Sequence, residues 1–232
     1  MSGRRIVVTG AFGVLGAAVA KAAAADGGRL ALLDFAPAPP DGLVADCGPG
    51  VFVRGGVDLT DPGAAGQAMD AAAAGLGGID ALLNIAGGFA WETLDGGDPA
   101  TWDRLYRMNV TTAANACRAA LPHLRASAAG RIVNVGANAA LRSGAGMGAY
   151  AASKAGVHRL TESLSEELKG DRITVNAVLP SILDTPANRA DMPKADPSLW
   201  VSPAELAAVI LFLASEAASA VTGALVPVTG RV

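Results

Sequence analysis

Short apolar runs alternate with helical segments along the whole chain, and this alternation limits the possible fold more than any other feature. The runs are rich in Val, Ile and Leu and are close to continuously apolar, which is typical of parallel strands covered on both faces. Because crossovers between parallel strands are right-handed, we expect a single-domain Rossmann fold over residues 1–232, a doubly wound α/β sheet of about seven strands. The predicted strands are residues 6–9, 29–34, 51–57, 79–85, 131–135, 173–179 and 225–229.

Glycine or polar residues follow the first strands at the edge where such sheets bind ligands. Thr9 to Gly16 reads TGAFGVLG and leads into an Ala-rich helix, so its backbone can approach a pyrophosphate at the helix N-terminus. Asp34 ends the second strand, where a carboxylate can bond both ribose hydroxyls and would repel a 2′-phosphate. The sequence therefore favours NAD(H), with NADP(H) as the alternative.

Tyr150 and Lys154 lie four residues apart in a helical pattern that ends at Lys169-Gly170. That spacing puts both side chains on one helix face. A phenol ionises at about pH 10, and a nearby ammonium favours the phenolate, so the pair indicates proton transfer.

Capping patterns locate several other helices. Asp61-Pro62 and Asp98-Pro99 are N-terminal signals, the second for one long helix through Asn109 to Arg125. Ser202 and Glu205 form a capping box for the last helix, whereas residues 180–201 are expected to be irregular.

Composition excludes several function classes. The net charge is −3 and no basic run occurs, which gives no footprint for nucleic acid. The 2 cysteines and 2 histidines lack ligand-like spacing, so we expect no metal site. Three glycines interrupt the apolar stretch after Arg4-Arg5, and no run is long enough to cross a bilayer, so we expect a cytoplasmic protein without membrane contact.

The ordered motifs TGAFGVLG, NIAGG, RMNV, YAASK and NAVLP resemble the short-chain dehydrogenase/reductase family over nearly the whole chain. The resemblance implies that Tyr150 transfers the proton, that Lys154 holds the nicotinamide ribose and lowers the phenol's pKa, and that Asn109 keeps a water in the proton path. It also implies a set of cofactor-binding residues: Gly10, Phe12, Gly13, Val14, Leu15, Gly16, Asp34, Asp58, Leu59, Asn84, Ala86, Gly87, Tyr150, Lys154, Pro180, Leu183 and Thr185. Asn84 to Gly87 are expected to shape the adenosine side, and Asp58 to meet the adenine.

Two positions depart from the family pattern. Val14 stands where the family loop has glycine, and Ala137 stands where the family has its catalytic serine. Both departures resemble the quinonoid dihydropteridine reductase branch, as do GANAAL at 136–141 and LPSILDTPANRADMPKADPSLW at 179–200. The resemblance implies a flat pterin ring as hydride acceptor, and the candidate apolar walls for it are Phe89, Trp91, Met147, Met192 and Trp200.

Alternatives remain open from the sequence. The acceptor can instead be a ketone, a 3-oxoacyl group or a quinone, with backbone or water replacing the serine. A protein of another class, a non-catalytic NAD(H)-binding sensor or scaffold, is disfavoured because a sensor needs no proton path. The resemblance also implies a homodimer or homotetramer joined through the Asn109 and Tyr150 helices.

Overall fold

The computed structural model describes residues 1–232 and contains one parallel sheet of seven strands in the order β3-β2-β1-β4-β5-β6-β7. The predicted strand count and fold class are confirmed. The strand bounds are β1 Arg5–Thr9, β2 Arg29–Leu33, β3 Phe52–Arg54, β4 Ala81–Asn84, β5 Arg131–Val135, β6 Thr174–Pro180 and β7 Leu225–Val228. The third strand is shorter than predicted because Gly55 and Gly56 follow it, the latter with φ +69°.

Eight α-helices cover the sheet. Their bounds are α1 Val14–Ala25, α2 Leu43–Asp46, α3 Pro62–Leu76, α4 Ala100–Tyr106, α5 Thr112–Arg125, α6 Gly148–Glu167, α7 Pro186–Asp191 and α8 Pro203–Leu213. One apolar core joins α1 and α8 to one face of the sheet, and a second core joins α3, α5 and α6 to the other. Both faces are therefore buried, as the apolar strands predict.

The caps predicted at Asp61 and Ser202 are present, whereas α4 begins at Ala100 with Pro99 as its N-cap residue and no side-chain cap. Asp61 Oδ1 accepts a hydrogen bond from Ala64 N at 2.7 Å, and Ser202 and Glu205 form the reciprocal capping box at the start of α8. The stretch 180–201 contains α7 and a 3₁₀ turn at Pro197–Leu199, so it is more ordered than the sequence suggests.

The predicted long helix from Asp98-Pro99 to Arg125 is interrupted. A π-helical segment, Arg107–Thr111, separates α4 from α5 and contains Asn109. The hydrogen bonds of a π-helix span five residues rather than four, so the side chains of α5 are rotated relative to those of α4.

Candidate active site

A cavity of about 980 Å³ opens at the carboxyl ends of the strands and collects most of the predicted site residues. This is the edge at which doubly wound sheets bind ligands. Fourteen of the predicted residues line it: Gly10, Gly13, Val14, Leu15, Gly16, Asp34, Asp58, Leu59, Ala86, Gly87, Tyr150, Lys154, Leu183 and Thr185. Phe12, Asn84, Asn109 and Pro180 do not line it.

The glycine loop packs backbone against backbone at two points. Gly10 has φ +62°, and a Cβ there would lie 2.7 Å from Ala86 Cα. A Cβ on Gly16 would lie 2.1 Å from the carbonyl oxygen of Gly10. Gly13 is the N-cap of α1 and supplies no side-chain cap, so the amide groups of the first helical turn face the cavity without a side-chain partner. This arrangement is suited to a bound phosphate.

Asp34 is held in place by the loops on either side of it. Its Oδ2 accepts a hydrogen bond from Phe12 N at 2.8 Å, and its Oδ1 accepts one from Ala36 N at 2.9 Å. Phe12 therefore contributes to the site through its backbone amide, which fixes the carboxylate beside the glycine loop.

Asp58 stands at the far end of the cavity with Thr60 and Arg107. Its Oδ1 accepts hydrogen bonds from the Thr60 hydroxyl at 2.7 Å and the Thr60 amide at 2.8 Å. These bonds, with a smaller contribution from the charge of Arg107, lower the pKa of Asp58. The carboxylate is exposed and ionised, and a contact between Asp58 and the adenine stays a prediction.

Tyr150 and Lys154 both lie on α6 and both line the cavity. The Lys154 ammonium donates a hydrogen bond to the carbonyl oxygen of Val135 at 2.7 Å. Burial lowers the pKa of Lys154 to about 8 and raises the pKa of Tyr150 to about 12. Desolvation is the cause of both pKa shifts, and the lowering of the phenol's pKa by Lys154 stays a prediction.

Asn109 is buried, and its side chain forms hydrogen bonds with neighbouring elements. Its Oδ1 accepts from Gly88 N at 2.9 Å, while its Nδ2 donates to Gly88 O at 3.1 Å and to Ser153 Oγ at 2.9 Å. The side chain thus joins the loop after β4 to α6. The contacts support a positioning role, and the amide does not line the cavity.

The prediction that Asn84 shapes the adenosine side is wrong. Asn84 is 4% exposed, and its Nδ2 donates to Asn134 Oδ1 at 2.9 Å and to Cys117 Sγ at 3.2 Å. It ties β4 to β5 beneath the edge of the sheet. Pro180, which ends β6, also lies outside the cavity lining.

Ala137 is buried at the end of β5, and no hydroxyl replaces the one that its position lacks. Its amide points to His158 Nε2 at 3.4 Å, and a Cβ on Gly136 would lie 2.5 Å from the same nitrogen. Burial, followed by the charges of Arg159 and Lys154, lowers the pKa of His158, so the imidazole is neutral and can accept. Ser143 is exposed and donates to Gly144 O, outside the cavity.

Of the candidate apolar walls, only Phe89 lines the cavity, whereas Trp200 is buried in the core. Ile85, within the predicted 84–87 segment, and Gly88, in the NIAGG motif, also line the cavity. Sequence reasoning missed seven other lining residues: Phe35, Val57, Thr60, Arg104, Arg107, Met108 and Thr112. The first three are sequence neighbours of predicted residues, whereas the other four lie on α4, the π-helical segment and the start of α5, where only Asn109 was a predicted site residue.

No group of three or more His, Cys, Asp or Glu residues is placed to hold a metal ion. No helix is both long enough and apolar enough to span a bilayer.

Comparison with known proteins agrees with this geometry. The model of the short chain dehydrogenase family matches residues 4–196. Cis-4-hydroxycyclohexanecarboxylate dehydrogenase from Sinomonas cyclohexanicum is 37% identical to this chain, covering 98% of it and 95% of the relative. D-beta-hydroxybutyrate dehydrogenase from Cupriavidus necator is 30% identical over 97% of this chain and 96% of its own.

Solved structures give the same result. A short-chain dehydrogenase/reductase of Brucella melitensis, described as a glucose/ribitol dehydrogenase, is 31% identical with a TM-score of 0.92, over 99% of this chain and 96% of that one. An NAD⁺-bound xylitol dehydrogenase is 26% identical with a TM-score of 0.90, over 99% of this chain and 98% of that one.

Proposed function

Because this chain belongs to the short-chain dehydrogenase family, we propose that it is an NADH-dependent reductase whose acceptor is a flat, electron-poor ring, with a quinonoid dihydropterin favoured. The observation that carries the proposal is the composition of one cavity. It combines the glycine loop, Asp34, Lys154 and Tyr150, while Ala137 stands buried where a hydroxyl would otherwise meet a ketone oxygen.

The residues present fit a nicotinamide dinucleotide. The glycine loop offers a close backbone approach and the open N-terminus of α1 for the phosphates. Asp34 suits the adenosine ribose and disfavours a 2′-phosphate, which is the reason for preferring NADH. When bound, the nicotinamide supplies the hydride; Lys154 would hold its ribose, and Leu183 and Thr185 would meet its carboxamide.

Tyr150 is suited to giving a proton rather than taking one. With a pKa of about 12, its hydroxyl is protonated at neutral pH and remains a hydrogen-bond donor until the acceptor gains negative charge. Lys154 lies on the same face of α6 as Tyr150 and donates a hydrogen bond to the carbonyl oxygen of Val135, while Asn109 fixes α6 through Ser153.

The acceptor assignment follows from what the site lacks. Reduction of a quinonoid dihydropterin needs one hydride and one proton, and it creates no alkoxide that a serine hydroxyl must hold. Phe89 lines the cavity with its ring edge-to-face with Tyr150, at a centroid distance of 4.9 Å, and its half-exposed face can pack against a planar ring.

A second candidate is a cyclic alcohol or ketone as substrate. It is favoured by the relative named for cis-4-hydroxycyclohexanecarboxylate, since the similarity covers nearly all of both chains. Quinones and 3-oxoacyl groups belong to the same alternative. A non-catalytic NAD(H) sensor is disfavoured because Tyr150 and Lys154 both face the cavity.

We also propose a cytoplasmic homodimer or homotetramer joined through α4, α5 and α6. Trp102 and Tyr106 on α4 are 43% and 55% exposed, and such an interface would cover them. Both cysteines are free, as expected for a protein of the cytoplasm. Light scattering of the purified protein tests the assembly, and a monomer would contradict it.

The test of function is NADH oxidation with freshly generated quinonoid dihydropterin, run beside a panel of cyclic ketones and quinones. We expect rapid turnover of the pterin and little or none of simple ketones. Turnover of a ketone or quinone alone would move the assignment to the second candidate. NADH binding without turnover of any acceptor would favour the sensor.

A further inference from the structure

The β4–α4 loop, residues 85–99, is fixed at both sides of Phe89. The first attachment is at Gly88, whose amide and carbonyl both bond to the side chain of Asn109. Two opposed hydrogen bonds to one side chain fix the direction of the backbone as it enters Phe89.

The second attachment is at Trp91 and Glu92. Trp91 Nε1 donates to the carbonyl oxygen of Ala145 at 3.0 Å, and Glu92 N donates to the carbonyl oxygen of Gly146 at 2.9 Å. Both acceptors belong to the segment just before α6, the helix that carries Tyr150. The loop is therefore hydrogen-bonded to the segment that leads into α6.

Gly146 is matched to the indole of Trp91. It has φ +75°, and a Cβ there would lie 2.2 Å from Trp91 Cε2 and 2.4 Å from Trp91 Nε1. The ring thus lies directly on the glycine backbone, and a side chain at 146 would require both the ring and the backbone to move.

Glu92 adds a third attachment, to the start of α4. Its Oε1 accepts from Thr101 Oγ1 at 3.1 Å, and its Oε2 accepts from Asp98 N at 3.2 Å. The Glu92 carboxylate thus joins residue 92 to residues 98 and 101, so the end of the loop next to α4 is fixed as well.

We propose that Trp91 is a positioning residue for acceptor specificity. By bonding to Ala145 and covering Gly146, it holds Phe89 against Tyr150, so that the acceptor side of the cavity has a fixed aromatic wall. A planar ring fits between such a wall and the proton donor, whereas a bulky saturated substrate would have to displace it. The inference depends on the proposed function in placing the acceptor beside Phe89 and Tyr150.

The first test is Trp91→Phe, which removes the N–H group and part of the ring. We expect the KM of the acceptor to rise about tenfold, with kcat within about twofold and the Kd of NADH unchanged, because only the acceptor contacts the wall. Leu94→Ala is the matched control, since Leu94 lies in the same loop and is 84% exposed. An unchanged acceptor KM in Trp91→Phe would overturn the proposal.

The second test is a double-mutant cycle. Gly146→Ala should raise the acceptor KM about tenfold in the presence of Trp91, but less than about threefold in a Trp91→Ala background, where only the strain of positive φ remains. Equal effects in the two backgrounds would mean that the ring and the glycine act independently, contrary to the proposal.

A third readout does not depend on turnover. Hydrogen exchange at the Glu92 amide should be at least about tenfold faster in Trp91→Phe than in the parent protein, with the Kd of NADH unchanged. If no acceptor is turned over but exchange accelerates, the proposed function fails and the attachment stands. If exchange at Glu92 is unchanged, the attachment itself is refuted.

Discussion

The charged groups at the two ends of the sheet have different hydrogen-bond partners. At the amino end, Asp80 precedes β4 and accepts hydrogen bonds from Arg5 N and Arg5 Nε, both at 2.9 Å, and from Ser127 Oγ at 2.7 Å. At the carboxyl end, Lys154 is 6% exposed and has one hydrogen-bond partner, a neutral carbonyl oxygen.

The pKa values differ accordingly. Burial alone would raise the pKa of Asp80, but the bonds from Arg5 and Ser127 outweigh it and hold that pKa well below its usual range. Burial prevails at the other end, where it favours the neutral forms of Lys154 and Tyr150. One end of the sheet therefore stabilises the fold, and the other gives up stability to keep two ionisable groups, the proposed proton donor and its lysine neighbour, out of water.

The largest expected effect is that of Tyr150→Phe. Loss of the hydroxyl should lower kcat by about 1,000-fold while leaving the affinity for NADH and the thermal midpoint nearly unchanged. Steady-state kinetics, fluorescence titration and a melting curve measure the three quantities. Activity within tenfold of the parent protein would place the proton donor elsewhere and remove one side of the comparison.

Asp80→Asn should lower the stability of the fold and leave catalysis unchanged. Removing the partner of Arg5 in a largely buried pair is expected to lower the free energy of unfolding by about 3 kcal/mol, with kcat unchanged below the melting transition. Urea unfolding gives the value. The control is Asp46→Asn, which removes the exposed pair with Lys21 and should lower the free energy of unfolding far less. Equal losses in both variants would contradict the distinction.

Lys154→Met tests the cost of the buried ammonium through its pH dependence. The pKa of Lys154 is about 8 in the folded protein and 10.5 for the unperturbed side chain, so between these pH values the unfolded chain binds more protons and rising pH stabilises the fold. Relative to the variant, the parent protein should gain about 3 kcal/mol between pH 7.5 and 10.5. Urea titrations of both proteins at several pH values decide the matter, and a difference that does not vary with pH would mean that burial leaves Lys154 unperturbed.

The smallest effect is expected from Asp34→Ala. Loss of the carboxylate beside the glycine loop should reduce the preference for NADH over NADPH about tenfold, because the repulsion of the extra phosphate disappears. The ratio of kcat/KM for the two cofactors measures it, with Asp41→Ala as an exposed control on the following loop. A ratio that stays constant would show that another group selects the cofactor.

The sequence predicts the cofactor half of the site better than the acceptor half. The glycine loop, Asp34 and Asp58 follow apolar strands directly, so strand direction alone brings them to one edge. Asn84 is an exception, because its position as the last residue of β4 does not reveal that its side-chain amide faces Asn134 rather than the cavity.

The acceptor half depends on contacts between distant segments. Phe89 was a candidate wall, but its packing on Tyr150 depends on the contact between Trp91 and Gly146, 55 positions apart in the chain. Arg104 on α4 and Met108 in the π-helical segment also line the cavity, and neither was among the predicted site residues. The bonds from Arg5 to Asp80 were also unforeseen, because a charged residue at the start of a strand is usually solvated.

The strand order has a consequence for how the protein is made. β1 lies between β2 and β4, and Ile6 pairs with Ala81, so β1 has one open edge during synthesis until residue 84 has followed it. Until then the Thr9 hydroxyl lacks the amides of Ile85 and Ala86, to which it bonds in the finished fold. The nascent chain therefore carries an apolar strand with one unpaired edge for about 75 residues of synthesis, and we expect this interval to be the one in which it most needs a chaperone.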